Sequence, residues 1–455
     1  MGDLKRKLAL SGLVLLVFIA LYLLIGAEAS IPAKFLAALI LLAASAEGVS
    51  RLTGLRSEWG IILLRTKKGM QAIRSLARHE EFWKLFADIG IGLSFGLLAF
   101  FAIKRSVPAR ICILLASSFL LTIILAFVFP FVLPFLSLSF GIAIGAAGNS
   151  AASSAAHLAG GWLVIALVYL GGISTMVTLS LLFYAFAIIS SLVSAVFLGT
   201  GEISETSPGV TLLLPGINLP FLEGIIALFL ILVVHEGAHA ILSIIGRVPL
   251  VSSGIALFGV IPVGAFVEPD EKKLERKPSE VQTRVIAAGS AANLLSSLAF
   301  FILLLAFAYI TAPYRLHGWA VMEGMQNGTI ITSINGIPVE GSAISLPPNS
   351  TVLVQTNFGE VEMPVNESGG LGITYVKLSS LPMVQYDFFL LNFIFRTLAL
   401  TFCLNFIIGT VNLLPLPFFD GYRLVELNSP WKALPKIIMY VCLLAFLLNV
   451  LPWLF

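Results

Sequence analysis

Charged residues are scarce in this chain. Only 11% of its 455 residues are charged and 58% are hydrophobic, whereas a soluble domain carries roughly 25% charged residues. The composition excludes an ordinary soluble protein and places the chain in the membrane class. The net charge of +3 comes without a basic patch interleaved with aromatic residues. We therefore expect no nucleic-acid partner.

Cysteine is equally scarce. The three cysteines, Cys112, Cys403 and Cys442, lie far apart in apolar stretches, and no Cys-x-x-Cys pair occurs. This pattern excludes a disulfide framework. We expect these side chains to act as small buried hydrophobic groups.

Long apolar runs account for most of the remaining sequence. A membrane-spanning helix needs roughly 20 apolar residues. The sequence predicts spans at residues 8–26, 31–49, 89–103, 111–135, 221–245, 285–310, 388–411 and 434–454. The stretch between Arg110 and Glu202 contains no charged residue and has room for three or four spans. We expect a multi-pass integral protein of the lipid bilayer, in the cell membrane of a prokaryote.

Polar stretches divide the chain into four regions. Residues 1–200 form an N-terminal multi-spanning region with a basic loop near 51–84, and residues 201–311 the first part of a membrane core. Residues 386–455 form its second part. Between them, residues 312–385 contain short β-type runs separated by turn residues such as Asn335-Gly336. The predicted fold class is an all-α polytopic membrane protein with an inserted small β domain.

The inserted domain contains one recognisable segment. Residues 324–339 have a glycine-containing turn, a strand and the sequence Ile-Asn-Gly. This segment resembles the core of a PDZ domain, which implies that peptide segments bind there by adding a strand to a sheet edge. The alternative is a generic β-insertion that only spaces two helices.

The strongest chemical feature is His235-Glu236-Gly237-Ala238-His239, which lies within the apolar run 221–245. On an α-helix, positions i and i+4 share one face, so both imidazoles can bind one Zn²⁺. Glu236 can then take a proton from the attacking water and pass it to the leaving amine. The alternative is a buried polar cluster satisfied by neighbouring helices, because unpaired polar groups are costly in a span.

Two histidines leave a catalytic zinc one protein ligand short. Asp420 is the single acid in the apolar segment 412–421. Pro415 and Pro417 prevent a regular helix there, and irregular backbone at membrane depth is tolerated where it lines a cavity. A carboxylate in such a place needs a cation, which makes Asp420 the candidate third ligand. The alternative is an interfacial aspartate that caps the next helix.

Together, His235-Glu-x-x-His239, Asn412-x-x-Pro415 and Asp420-Gly421 resemble the site-2 protease family of intramembrane zinc metalloproteases. The resemblance runs from residue 221 to the end of the chain. It implies that His235, His239 and Asp420 bind zinc and that Glu236 is the general base. It also implies membrane-anchored protein substrates, cut within or near their transmembrane segments as in regulated intramembrane proteolysis. Residues 1–200 match only in being multi-spanning.

Two asparagines complete the candidate site. Gly289-x-x-x-Asn293 resembles a Gly-x-x-x-Asn site of the same family, which implies that Asn293 binds substrate or stabilises the oxyanion. The alternative is a hydrogen bond between helices. We expect Asn412 to orient backbone or substrate near the metal.

Substrate handling follows from bond geometry. A peptide bond in a helix is shielded by its own turn, so a transmembrane substrate must be locally extended before attack. Residues 251–267 are apolar, β-branched and interrupted by glycine and proline. We expect a membrane-associated hairpin or loop whose strand edge pairs with the unwound substrate. The alternative is a re-entrant loop that only plugs the site.

Two other functions fit parts of the sequence. A transporter or channel would explain the apolar spans and their polar groups, but not the His-Glu-x-x-His spacing. A catalytically silent scaffold would bind peptides through the β domain, although every expected active-site residue is present.

Overall fold

The computed structural model divides the chain into two compact units, Met1–Phe301 with Ala399–Phe455, and Ile302–Leu398. The described residues are 3–27, 31–58, 60–66, 70–132, 161–198, 209–210, 213, 215, 219–326, 329–339, 344–377, 386 and 388–454. The second unit encloses the predicted β domain, 312–385, together with the ends of its two flanking helices.

Apolar helices dominate the architecture. In chain order the helices are α1 (Asp3–Gly26), α2 (Ile31–Thr53), α3 (Met70–Leu76), α4 (Glu80–Phe95), α5 (Ala99–Ala102), α6 (Val107–Ile123), α7 (Gly161–Val193), α8 (Phe221–Ile245), α9 (Glu271–Leu274), α10 (Ser279–Ile310), α11 (Phe389–Val411), α12 (Asp420–Asn428) and α13 (Leu434–Val450). Among the described residues, 8 helical segments are long and apolar enough to cross a membrane. The multi-pass membrane protein expected from composition is therefore confirmed.

These segments refine the predicted spans. They are Leu4–Leu24, Leu36–Thr53, Glu80–Ala102, Val107–Val132, Leu163–Phe197, Phe221–Ile245, Ser279–Ile310 and Phe389–Val411. The last predicted span, 434–454, corresponds to the shorter apolar helix α13. The third and seventh segments begin before the predicted spans and take in charged residues, of which Asp88 and Arg284 are buried and paired with each other. Cys403 and Cys442 are buried as expected, whereas Cys112 is exposed on α6.

The charge-free stretch of the N-terminal region contains α6 and α7. Its predicted three or four spans fall partly on residues 133–160, which lie outside the described residues. Helix α7 kinks at Gly172, where φ is 67° and ψ is −161°. A Cβ at Gly172 would overlap the backbone of Ser94 and Gly96. The two glycines thus allow α7 to approach the end of α4 closely.

The strands form two antiparallel sheets. In chain order they are β1 (Ser57–Glu58), β2 (Ile61–Thr66), β3 (Leu250–Phe258), β4 (Ile261–Pro269), β5 (Trp319–Glu323), β6 (Ile330–Ile334), β7 (Ile337–Pro338), β8 (Thr351–Thr356), β9 (Gly359–Pro364) and β10 (Thr374–Lys377). The first sheet has the order β1-β2-β3-β4. Segment 251–267 is therefore a hairpin, with its turn at Gly259, where φ is 64°.

The N-terminal region completes this first sheet. All six residues of β2 pair with β3, from Ile61 opposite Phe258 to Thr66 opposite Ser253. One edge of the hairpin is therefore covered. Strand β4 is the other edge, and no further strand pairs with it among the described residues.

The second unit holds the other sheet, in the order β10-β5-β6-β8-β9 with β7 on β6. Its core is aliphatic, with Ile331 and Val354 fully buried. Segment 324–339 supplies β6 and β7 and the turn between them, in which Asn335 and Gly336 both have positive φ. This antiparallel β unit is the inserted domain that the sequence predicted. Its PDZ identity remains a prediction.

Small residues bring helices α4, α8, α10 and α11 together around the candidate site. A Cβ at Gly90 of α4 would overlap Ala291 of α10, and one at Gly409 of α11 would touch Asn293 of α10. Ala87, Ala238 and Ala288 are buried in the same cluster. Such residues let membrane helices approach closely, so α10 is held on several sides.

Candidate active site

Helix α8 places the two imidazoles one turn apart on a buried face. The Nε2 atoms of His235 and His239 are 3.1 Å apart. On the far side of the second ring, Nδ1 of His239 lies 2.7 Å from the carbonyl oxygen of Val285 in α10. A carbonyl can only accept, so Nδ1 carries the hydrogen and Nε2 keeps a free lone pair. This arrangement is typical of a metal-binding histidine.

Asp420 reaches the imidazoles from a different helix. The chain leaves α11 at Val411, and α12 begins at Asp420 itself. Its Oδ2 is 3.7 Å from Nε2 of His235 and 3.5 Å from Nε2 of His239. Asp420 is the first residue of α12, whereas the N-cap position that the capping alternative requires is held by Phe419. The buried Oδ2 of Asp420 faces the imidazoles and has no hydrogen-bond partner within the described part of the chain.

The loop before Asp420 is closed by a main-chain contact. The N–H of Gly421 donates to the carbonyl of Asn412 at 2.8 Å. A Cβ at Gly421 would overlap the backbone of Leu413 and Leu414. Glycine after the aspartate therefore lets the chain fold back tightly enough to aim the carboxylate at α8.

The three candidate ligand atoms have separations that would fit a zinc ion. Atoms bound to zinc at about 2.0–2.1 Å in a tetrahedral site lie about 3.3 Å apart, and the three observed separations are 3.1, 3.5 and 3.7 Å. The Oδ2 of Asp420, which no described residue hydrogen-bonds, supplies the negative charge that a cation would neutralise. A Cβ at Gly289 would overlap both Nε2 atoms, so this glycine keeps the space beside them open.

Glu236 lies beside this triangle and is held by the hairpin. Its Oε2 accepts a hydrogen bond from the main-chain N–H of Val267 in β4 at 3.1 Å. One cavity of about 410 Å³ is lined by Glu236, the two histidines, Asp420 and Val267. The Val267 contact was not predicted, because a main-chain N–H has no residue signature in the sequence.

The two predicted asparagines occupy different places. Asn412 lines the cavity. Asn293 is fully buried on α10, with Nδ2 3.1 Å from Nδ1 of His235 and with Oδ1 lacking a partner among the described residues. It therefore lies behind the His235 ring, on the side opposite Asp420.

Phe418 also lines the cavity. It is fully exposed and has a φ of 73°, an uncommon conformation for an aromatic residue.

The fold and site together define a multi-pass membrane protein with a His-Glu-x-x-His helix and a distant aspartate around one cavity. The chain belongs to peptidase family M50, a family of metallopeptidases that includes the site-2 proteases, and the family model matches residues 223–450. It is also 30% identical over 254 residues to an uncharacterized protein of Methanocaldococcus jannaschii, in a match that covers 52% of this chain and 64% of that protein. The chain thus spans less than two thirds of the length of this curated relative. No solved structure matches the chain.

Proposed function

We propose that the protein is a zinc metalloendopeptidase that hydrolyses membrane-anchored proteins within or near their transmembrane segments, as in regulated intramembrane proteolysis. One observation carries the proposal. Two imidazole nitrogens and one carboxylate oxygen, from helices distant in sequence, converge beside Glu236 in one cavity. The separations of the three atoms match a tetrahedral zinc site.

In this proposal His235, His239 and Asp420 hold the metal. A zinc ion in such a site polarises a carbonyl group and makes water acidic enough to lose a proton near neutral pH. The protein supplies the remaining steps through its own side chains.

Glu236 moves the proton. Its carboxylate faces the cavity beside both histidines, where it takes a proton from the attacking water and delivers it to the leaving amine nitrogen. The N–H of Val267 holds Oε2 of Glu236, and Oε1 is proposed to exchange the proton.

Asn293 supports His235 rather than the oxyanion. A ligand imidazole with a free Nε2 carries its hydrogen on Nδ1. With its amide turned to present Oδ1, Asn293 accepts that hydrogen, and Oδ1 has no other partner in the described structure. Hydrogen bonds of this kind fix the ring and the tautomer of metal-binding histidines.

Strand β4 receives the substrate. The N–H of Val267 reaches Glu236, so it points away from β3, and Ala265 has the same orientation because the β3–β4 register is unbroken between them. Strand β2 covers the opposite edge of the hairpin. A locally extended substrate segment can therefore pair with β4, which ends at the cavity that holds Glu236.

The β unit of residues 302–398 is proposed to bind peptide segments, as a PDZ-like domain would. Its sheet has edges at β9 and β10, and β9 is largely exposed. An exposed edge can accept a peptide as an added strand.

The competing functions fit the site less well. In a transporter, polar groups in the spans line a path, whereas His235, His239 and Asp420 converge at one point. A silent scaffold gives no role to the buried Oδ2 of Asp420, which has no hydrogen-bond partner among the described residues.

The test uses wild type and Glu236→Gln in liposomes with a single-span model substrate. Zinc content is measured in both proteins, and products are identified by mass spectrometry. We expect zinc in both and cleavage only by wild type, at a bond within or near the substrate's membrane segment. Cleavage at equal rates would remove Glu236 from the mechanism, and absence of zinc from active wild type would remove the metal.

A further inference from the structure

A buried ion pair joins the N-terminal region to the helix behind the active site. Asp88 of α4 is 1% exposed and Arg284 of α10 is 8% exposed. Nε of Arg284 donates to Oδ1 of Asp88 at 2.7 Å, and Nη2 donates to Oδ2 at 2.9 Å. Arg105 also donates to Asp88, and Glu280 lies 2.5 Å from Nη1 of Arg284. The Asp88–Arg284 pair is therefore bidentate, and Nη1 of Arg284 is paired with Glu280. This bidentate pair is called the fork below.

Helix packing alone does not require such a fork. Removing charges from water is expensive, and well-packed apolar side chains hold two helices together as well or better. What a fork adds is geometry, because two parallel hydrogen bonds fix both the relative position and the rotation of their partners. The consequence of fixing Arg284 therefore depends on which other groups lie on α10.

Helix α10 carries the support of the proposed metal ligands. The residue after Arg284 is Val285, whose carbonyl accepts the hydrogen of Nδ1 of His239 at 2.7 Å. One turn later, Gly289 faces both Nε2 atoms, and then Ala291 packs on Gly90 of α4. Helix α4 thus contacts α10 on both sides of the stretch that supports the imidazoles.

We propose that Asp88 is a positioning residue for the metal centre. Through its fork to Arg284 it sets the register of α10, and so the place of the Val285 carbonyl that orients His239. Because it concerns the metal ligands, this inference rests on the function proposed above. It gives the N-terminal region, which lies outside the family match at 223–450, a part in building the active site.

The expected effect is on metal affinity. Mutating a group that hydrogen-bonds to a metal ligand typically lowers metal affinity by about 10–100-fold. Asp88 acts on His239 through Arg284 and Val285, so we expect the lower end, about tenfold. A displaced ligand would also alter the coordination geometry.

The test uses two variants of the full-length protein, because removing one charge alone leaves its partner buried and unpaired. Asp88→Leu/Arg284→Met replaces the pair with apolar side chains. Arg284→Lys keeps the charge but lacks the planar fork. The matched control is Tyr169→Phe, which removes an interhelical hydrogen bond to Thr122, 2.6 Å long, in the same N-terminal region.

For each protein we would measure the Zn²⁺ dissociation constant by chelator competition, the visible spectrum of bound Co²⁺, and the Tm in detergent. We expect both fork variants to bind Zn²⁺ about tenfold more weakly with a changed Co²⁺ spectrum, and the control to match wild type. Wild-type affinity and spectrum in Arg284→Lys, or in a folded double variant, would overturn the inference. If wild type itself bound no Zn²⁺, the proposed function would fail instead.

Discussion

Gly289 offers the sharpest single-atom perturbation of the site. It lies on α10 opposite the two imidazoles, and a Cβ built on it would overlap Nε2 of both His235 and His239. Substitution by alanine adds one methyl group where we place the metal. Other effects are small, because alanine is the residue that a helix interior favours most.

The size of the effect follows from contact distances. A carbon atom prefers about 3.5–4.0 Å from its neighbours, so both rings would have to withdraw by about 1 Å. Metal–ligand distances tolerate only about 0.2 Å of deviation. Disturbing the support of a ligand costs about 10–100-fold in affinity. Displacing the ligands themselves should cost at least about 100-fold, or roughly 2.8 kcal/mol.

Gly237→Ala provides the matched control. Gly237 lies between the two histidines on α8, and a Cβ there would meet nothing within 4 Å. Zinc affinity by chelator competition and cleavage of a single-span substrate would be measured for both variants. We expect Gly237→Ala to resemble wild type and Gly289→Ala to lose both zinc and cleavage. If Gly289→Ala bound zinc as tightly as Gly237→Ala, the metal would not lie between these imidazoles and α10.

Three further predictions test the parts around the metal. Val267→Pro removes the N–H that donates to Glu236. Ala265→Pro removes the N–H two residues earlier, which also points away from β3. Proline is tolerated where an edge N–H points away from the sheet. Because the Val267 N–H is already bound to Glu236, we expect Val267→Pro to lower kcat and Ala265→Pro to raise KM. Equal kinetics of the two variants would refute the Glu236 contact. Asn293→Leu should weaken zinc binding by about 10–100-fold. Asn293→Asp keeps an acceptor for Nδ1 of His235 and should keep the wild-type zinc affinity. Equal loss of affinity in both variants would refute the proposal that Asn293 supports His235. Phe418→Gly should leave the Tm unchanged, since glycine accepts positive φ, and should raise the KM of a membrane-anchored substrate; an unchanged KM would exclude contact with substrate.

The local part of the site could be predicted from the sequence. His235 and His239 share a face because any α-helix places i and i+4 together. Asp420 could be singled out because one acid in an apolar, proline-interrupted segment is expensive without a cation. These inferences need only helix geometry and the cost of burying charge, which are properties of short segments.

The rest depends on tertiary contacts. The fork between Asp88 and Arg284 was missed because each charge lay just outside a predicted span, and the pairing of two distant charges has no local signature. Strand β2 was missed for the same reason, since its partner β3 lies almost two hundred residues later. For Asn293 the motif implied a role near the reacting carbonyl, which stays a prediction, whereas its contact with His235 on α8 depends on helix packing.

X-ray absorption at the zinc edge tests the central claim most directly. The zinc-loaded Glu236→Gln protein keeps all three proposed ligands, so its spectrum should show two imidazoles at about 2.0–2.1 Å and a carboxylate oxygen at about 2.0–2.2 Å. The same spectrum for Asp420→Ala should lose the carboxylate. Sulfur ligands, or a coordination sphere unchanged by Asp420→Ala, would contradict a metal held by His235, His239 and Asp420.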